Sequence, residues 1–203
     1  MAYRSELAGA DVDWDSRYLA HDTPWDKGTA HPALVDWLIN NSMTGRVLVP
    51  GCGKGHDLRA ISDQSTAEAV GIDISRTALQ IASTFRKNPN ESYILGDFLS
   101  GTAVKNQTFD WVFEHTCFCA IPPSRRSDYV SAVASALRPG GHLLAVFFKN
   151  PENPDYQSPP FPCEVEELDQ LFSPHFEMIE SMENIQTYSG REGREILRLL
   201  RKF

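Results

Sequence analysis

Residues 47–57 read VLVPGCGKGHD, an apolar run that ends at Pro50 and passes into glycines at 51, 53 and 55. A glycine has no Cβ, so glycines spaced like this allow a tight turn and let a ligand lie against bare backbone. In an open α/β sheet such a loop falls beyond the carboxyl end of the first strand, where ligands bind as the strand order reverses. Either a dinucleotide or a nucleoside cofactor would suit the loop by itself. The dinucleotide fingerprint G-x-G-x-x-G needs its third glycine at position 56, which is His56, and this disfavours a nicotinamide-dependent oxidoreductase.

Working outward, short β-rich runs alternate with segments of helical periodicity, the pattern of a parallel sheet covered by helices on both faces. HPALVDWLINN (31–41) places Pro32 at a helix start, with Leu34, Trp37, Leu38 and Asn41 on one face, and GRVLVP (45–50) follows as the first strand. AEAVGIDIS (67–75) reads as the second strand, with Ser75 capping a helix over RTALQIASTFRK (76–87). SYILGDF, FDWVFEH and GHLLAVFF supply strands three to five. The last two are separated by a helix over SRRSDYVSAVASALRPGG that Pro139, Gly140 and Gly141 are expected to end. A loop at 150–162, a short helix at EVEELDQLF and two strands, FEMIESMENIQTYS and REILRLLRKF, complete the chain, the final pair forming an antiparallel hairpin at one edge. Residues 1 to about 30 carry Trp14, Tyr18 and Trp25, too many large apolar groups for a simple tail, and are expected to fold over the site.

At 203 residues, 41% hydrophobic and 23% charged, the chain suits a single domain with a full core. Its net charge of −8 opposes binding to nucleic acid or anionic lipid, which need a concentrated positive face. No stretch has the order of a signal peptide or the length of a membrane span, which points to the cytoplasm. Cys52, Cys117, Cys119 and Cys163 form no metal-knuckle spacing, so neither a metal site nor a disulfide framework is expected.

Three acidic residues accompany the glycines. Asp73 ends the second strand eighteen residues beyond Gly55, where a carboxylate can accept both hydroxyls of a ribose. Asp97 and Phe98, at the end of the third strand, offer an acceptor and an apolar face to an adenine. Glu114 closes the fourth strand within reach of a cationic group. Such a set suits a ligand with a ribose, an adenine and positive charge, and suits a pyrophosphate poorly.

VPGCGKGHD, GIDIS, GDF, FDWVFEHTCFCAI and LRPGGHLLAV together resemble the successive motifs of class I S-adenosylmethionine-dependent methyltransferases. TPWDKG (23–28) and FCAI (118–121) narrow the resemblance to the thiopurine S-methyltransferase family, and within it to the thiol and halide methyltransferases. The resemblance implies a Rossmann-like, doubly wound α/β fold: a seven-stranded, mostly parallel sheet with a reversed last hairpin and an N-terminal lid. It implies S-adenosylmethionine as cofactor. Gly51, Cys52 and Gly53 would line the methionine part, Trp25 its methionyl end, Asp73 and Ile74 the ribose, and Asp97 and Phe98 the adenine, with Glu114 near the amino group or the acceptor.

Methyl transfer from a sulfonium is an in-line displacement that a thiolate or a halide can already perform, so alignment and exclusion of water matter more than a general base. Trp14, Tyr18, Cys117, Phe118, Phe147, Phe148, Tyr156 and Tyr188 are candidates for the acceptor pocket. His115 could take a proton from a neutral thiol, and Arg191 or Arg194 could attract an anion. The sequence thus points to an enzyme, a monomer or weak dimer, that methylates a small soft nucleophile: sulfide, a small thiol or a halide. A thiopurine-type enzyme acting on larger aromatic thiols, and a cofactor-binding module without transferase activity, are the alternatives.

Overall fold

A computed structural model describes residues 12–85, 88–151 and 158–203. Seven strands, β1 (Arg46–Pro50), β2 (Glu68–Asp73), β3 (Glu91–Leu95), β4 (Phe109–His115), β5 (Leu137–Phe148), β6 (Phe176–Met182) and β7 (Glu195–Lys202), form one sheet in the order β3-β2-β1-β4-β5-β7-β6. Strands β1 to β5 pair in parallel, and β7 runs antiparallel to both β5 and β6. The order reverses at β1, which lies between β2 and β4, so the glycine loop that leaves β1 opens onto the crevice where α/β sheets take ligands.

Among the described residues six α-helices accompany the sheet: α1 (Trp14–Leu19), α2 (Pro32–Asn40), α3 (His56–Gln64), α4 (Arg76–Ala82), α5 (Arg126–Ala136) and α6 (Val165–Phe172). Alternation along the strands divides the core in two. Val47 and Val49 pack with Leu34, Trp37 and Leu38 of α2 and Leu58 and Ile61 of α3, whereas Leu48 joins Tyr129 and Val133 of α5 and Leu168 and Phe172 of α6. Covering both faces is why the strands read as near-continuous apolar runs. No helix among the described residues is long and apolar enough to cross a membrane.

The boundaries differ from the sequence expectation at three places. The helix after Ser75 ends at Ala82, because Ser83 and Thr84 turn their hydroxyls back onto the carbonyls of Gln80 and Ile81; the last two residues of the expected helix lie outside the described residues. Helix α5 ends at Ala136 rather than at the Pro-Gly-Gly, which instead forms a bulge in β5: Phe109 pairs with Leu137 and Trp111 with His142, leaving 138–141 opposite Asp110 alone. Strand β6 stops at Met182, so residues 183–194 form a loop. Helix α3 is an element the sequence reading does not contain.

The N-terminal segment is tied to this frame. Asp15 of α1 accepts hydrogen bonds from the Ser75 hydroxyl and the Thr77 amide, both at 2.8 Å, so a carboxylate of one helix caps the amino terminus of another. Those two bonds hold the Asp15 carboxyl below its usual pKa. Replacing Asp15 with alanine is expected to raise the hydrogen-exchange rate of residues 14–19 while leaving the exchange of β1 and β4 unchanged. Equal protection of α1 in variant and parent would show that the anchor lies elsewhere.

Candidate active site

The glycine loop takes its shape from three left-handed residues, Gly51, Gly53 and Gly55, with φ of 58°, 52° and 73°. A side chain at 51 would place its Cβ 2.9 Å from Cys117 Sγ, and one at 53 would meet the Tyr18 hydroxyl at 2.6 Å, so both positions need the conformation and the space. Asp73 fastens the loop to β2. Its carboxylate accepts the Gly53 amide on one oxygen and the Ser75 amide on the other, each at 2.8 Å, and burial raises its pKa.

A cavity of about 380 Å³ opens beyond the carboxyl ends of β1 to β5. Eleven of the residues expected from sequence line it: Gly51, Asp73, Ile74, Asp97 and Phe98 from the first three strand ends, Cys117 and Phe148 from β4 and β5, Trp14, Tyr18 and Trp25 from the N-terminal segment, and Arg191. Trp25 stacks edge-on against Trp14 (5.2 Å) and Tyr18 (5.8 Å) and donates from its indole to the Tyr18 hydroxyl (3.3 Å). Asp26, next to Trp25, closes an ion pair with Lys54 of the glycine loop at 2.5 Å and lies 3.3 Å from His56. Its pKa falls well below the usual carboxylate range, through His56 first and Lys54 next.

Other expected site residues turn away from the cavity. Cys52 packs its sulfur where a Cβ on Gly71 would stand. Phe118 is 2% exposed and joins an aromatic cluster with Tyr129, Phe147 and Phe172, which also absorbs Phe147. Tyr188 sits behind Arg191, its hydroxyl donating to the Thr29 carbonyl. Tyr156 lies outside the described residues.

Glu114 also points inward. One carboxylate oxygen accepts the amides of Cys117 (2.9 Å) and Phe118 (2.7 Å), and the other pairs with the Tyr129 hydroxyl. It therefore staples the turn after β4, where Thr116 adopts a left-handed φ of 60°, a conformation that costs a non-glycine residue about 1–3 kcal/mol. Burial pushes the Glu114 pKa up to about 7, against the pull of its donors.

His115 is paired through Nδ1 with Asp57 at 2.9 Å and does not reach the cavity wall; its Nε2 is buried without a partner, beside the His31 and Tyr188 rings. His31 bridges Asp57 and Glu195, its amide donating to Asp57 (2.7 Å) and its Nε2 to Glu195 (2.9 Å). Because His31 Nδ1 accepts the Ala33 amide at 3.1 Å, the ring proton resides on Nε2 and that lone pair is not open to a metal. Glu195 also accepts from Thr187 and, at 2.9 Å, from Arg191. Burial opposes its ionisation, but the bonds from His31, Thr187 and Arg191 prevail and hold its pKa at about 2.

The site fits a nucleoside cofactor. Bare backbone faces the cavity at Gly51, carboxylates stand at two neighbouring strand ends, and Lys54, the cation of the glycine loop, pairs with Asp26. Residues 10–196 match the family model described as thiopurine S-methyltransferase. The chain belongs to the thiopurine S-methyltransferase family. It is similar to probable thiol methyltransferase 2 of Arabidopsis thaliana, 34% identical over 91% of this chain and 82% of that one. Thiocyanate methyltransferase 1 of Brassica oleracea is 33% identical over the same shares. Among solved structures, the N-methyltransferase NodS of Bradyrhizobium japonicum in complex with S-adenosylhomocysteine superposes with a TM-score of 0.69 at 16% identity, covering 92% of this chain and 95% of that one. The protein is an S-adenosylmethionine-dependent S-methyltransferase of this family, and its sheet is the one expected from sequence.

Several residues on or behind the cavity wall are not among the site residues expected from sequence. Asp26 and Asp57 carried a signal, standing inside TPWDKG and VPGCGKGHD, and Asp15 adjoins Trp14, whereas Arg17 and Arg125 on the cavity wall and His31 and Glu195 behind it become visible only once the chain is folded.

The raised pKa of Glu114 gives a pH signature. The folded protein holds a proton that the unfolded chain has released between about 4.5 and 7, so this group's contribution to stability falls as pH rises through that window. Glu114→Gln keeps the acceptors for Cys117 and Phe118 and can donate to Tyr129. Its Tm is expected to change less between about pH 5 and 7 than that of the parent, by scanning calorimetry. Parallel curves would place the ionisation on another group.

Proposed function

We propose that the protein methylates a small, soft, anionic sulfur acceptor, such as a thiolate, hydrosulfide or thiocyanate ion, with halide as a further acceptor, and that it does so in the cytoplasm, in keeping with four free cysteines. The observation that carries this reading is Arg191, a cation on the cavity wall with its guanidinium 4.8 Å over the Phe148 ring and a buried carboxylate behind it. The cavity's other arginines pair with exposed partners, Arg17 with Asp22 and Arg125 with Asp128, and such pairs hold a side chain weakly. The relatives named for thiol and thiocyanate support the same chemistry. So does size: about 380 Å³ is near the lower end of ligand cavities, roughly 300–1,000 Å³, which favours a small acceptor over a fused aromatic one.

Bound S-adenosylmethionine supplies an electrophilic methyl group on a sulfonium. On this reading Asp73 would accept the ribose hydroxyls beside Ile74, Asp97 the adenine amino group with Phe98 against the ring, and the Gly51–Gly53 backbone the methionine part under Trp25. The N-terminal segment, held by Asp15 and Asp26, serves as a lid that excludes water and so strengthens every charge interaction inside. Arg191, its charge partly balanced by Glu195, would favour the thiolate of an arriving acceptor by donating charge-assisted hydrogen bonds from the guanidinium N–H groups not taken by that carboxylate. Cys117 and Cys119 take no covalent part: burial pushes the first thiol well above its usual pKa and the second up to about 12, so neither supplies a thiolate at neutral pH.

Initial rates over a panel of thiocyanate, sulfide, a small aliphatic thiol, iodide and a thiopurine test the acceptor; the small sulfur anions are expected to lead, and a thiopurine far ahead of them would overturn the reading. Asp73→Asn is expected to weaken S-adenosylhomocysteine binding about 10-fold or more, since a charged acceptor in a closed site is replaced by a neutral one. Unchanged affinity by calorimetry in the folded variant would remove Asp73 from the cofactor site.

A further inference from the structure

We infer that Glu195 is a positioning residue for the acceptor: locked by His31 and Thr187, it fixes the Arg191 guanidinium in the cavity wall. The inference rests on the reading of Arg191 as the anion-binding group.

Glu195 opens β7 directly opposite Phe148, the last residue of β5, so its side chain stands at the cavity end of the sheet yet is 1% exposed. Both its oxygens are engaged by protein donors. One oxygen takes Arg191 Nη1 at 2.9 Å, and the other takes His31 Nε2 at 2.9 Å together with the Thr187 hydroxyl. The His31 bond is directional because the Ala33 amide occupies Nδ1, leaving the ring a single proton aimed at Glu195. Arg191 is then held from several sides: by the carboxylate, by the Phe148 face at 4.8 Å and by the Tyr188 face at 5.7 Å. A free arginine loses much rotamer freedom when it binds an anion, whereas one already fixed does not, and that difference appears as affinity. His31 and Glu195 are far apart in the chain and neither lines the cavity, and Arg191 is the partner through which their buried bond reaches the cavity wall.

Steady-state kinetics with thiocyanate and with a small thiol, alongside calorimetric titration of S-adenosylhomocysteine, test this in Glu195→Gln, Thr187→Val, Arg191→Gln and the Arg191→Gln/Glu195→Gln double variant. Glu195→Gln is expected to raise the acceptor KM about tenfold with kcat within about twofold and cofactor affinity unchanged, the signature of lost acceptor binding. Thr187→Val, a milder change should Glu195→Gln fold poorly, shifts KM in the same direction by less. In the Arg191→Gln background Glu195→Gln is expected to add nothing, since residues acting as one unit are non-additive. A Glu195→Gln effect confined to Tm, or one that persists in full without Arg191, would overturn the inference while leaving Arg191 as the anion-binding group. An unchanged acceptor KM in Arg191→Gln would overturn both.

Discussion

The Asp73 carboxylate is the joint on which the site hangs. It holds the glycine loop through Gly53 and the start of α4 through Ser75, so the exits of β1 and β2 are fixed relative to one another by a single buried group. The same Ser75 then passes its hydroxyl to Asp15 and so captures the N-terminal helix. A buried carboxylate left without these donors would cost several kcal/mol, so they favour the loop conformation that supplies them. The fold thus sets the orientation of the Asp73 carboxylate at the cavity wall.

A second joint follows β4. Glu114 holds the strained turn at Thr116 and keeps Cys117 at the cavity while Phe118 enters the core. Where a ligand contact was expected, its carboxylate is instead engaged by the amides three and four residues ahead and by the Tyr129 hydroxyl.

The sheet was legible in the sequence because its signals are local. The strands are short apolar runs, Pro32 and Ser75 mark helix starts, and the glycines demand left-handed backbone. That Gly51, Asp73, Asp97 and Phe98 would line one cavity was legible for the same reason, since each stands at a strand end. The polar assembly behind Arg191 was not. His31 and Glu195 are separated by almost the whole chain, and nothing in either neighbourhood announces the other. Nor do aromatic candidates declare their direction: Phe148 faces the cavity and Phe147 the core because adjacent strand residues point to opposite faces, and which is which depends on the sheet's packing.

The reversed last strand has a consequence for how such an enzyme could change its preferences. Because β7 runs against β5, its first residue comes to the same end of the sheet as the last residues of the parallel strands, and the loop before it is delivered there as well. On the proposed reading the donor is handled by the first half of the chain and the acceptor by this late hairpin, with Phe148 as the seam. Two recognition tasks that meet in one cavity are thus written in separate stretches of sequence, so residues 183–194 can drift, lengthen or be exchanged among relatives while the glycine loop and Asp73 stay as they are.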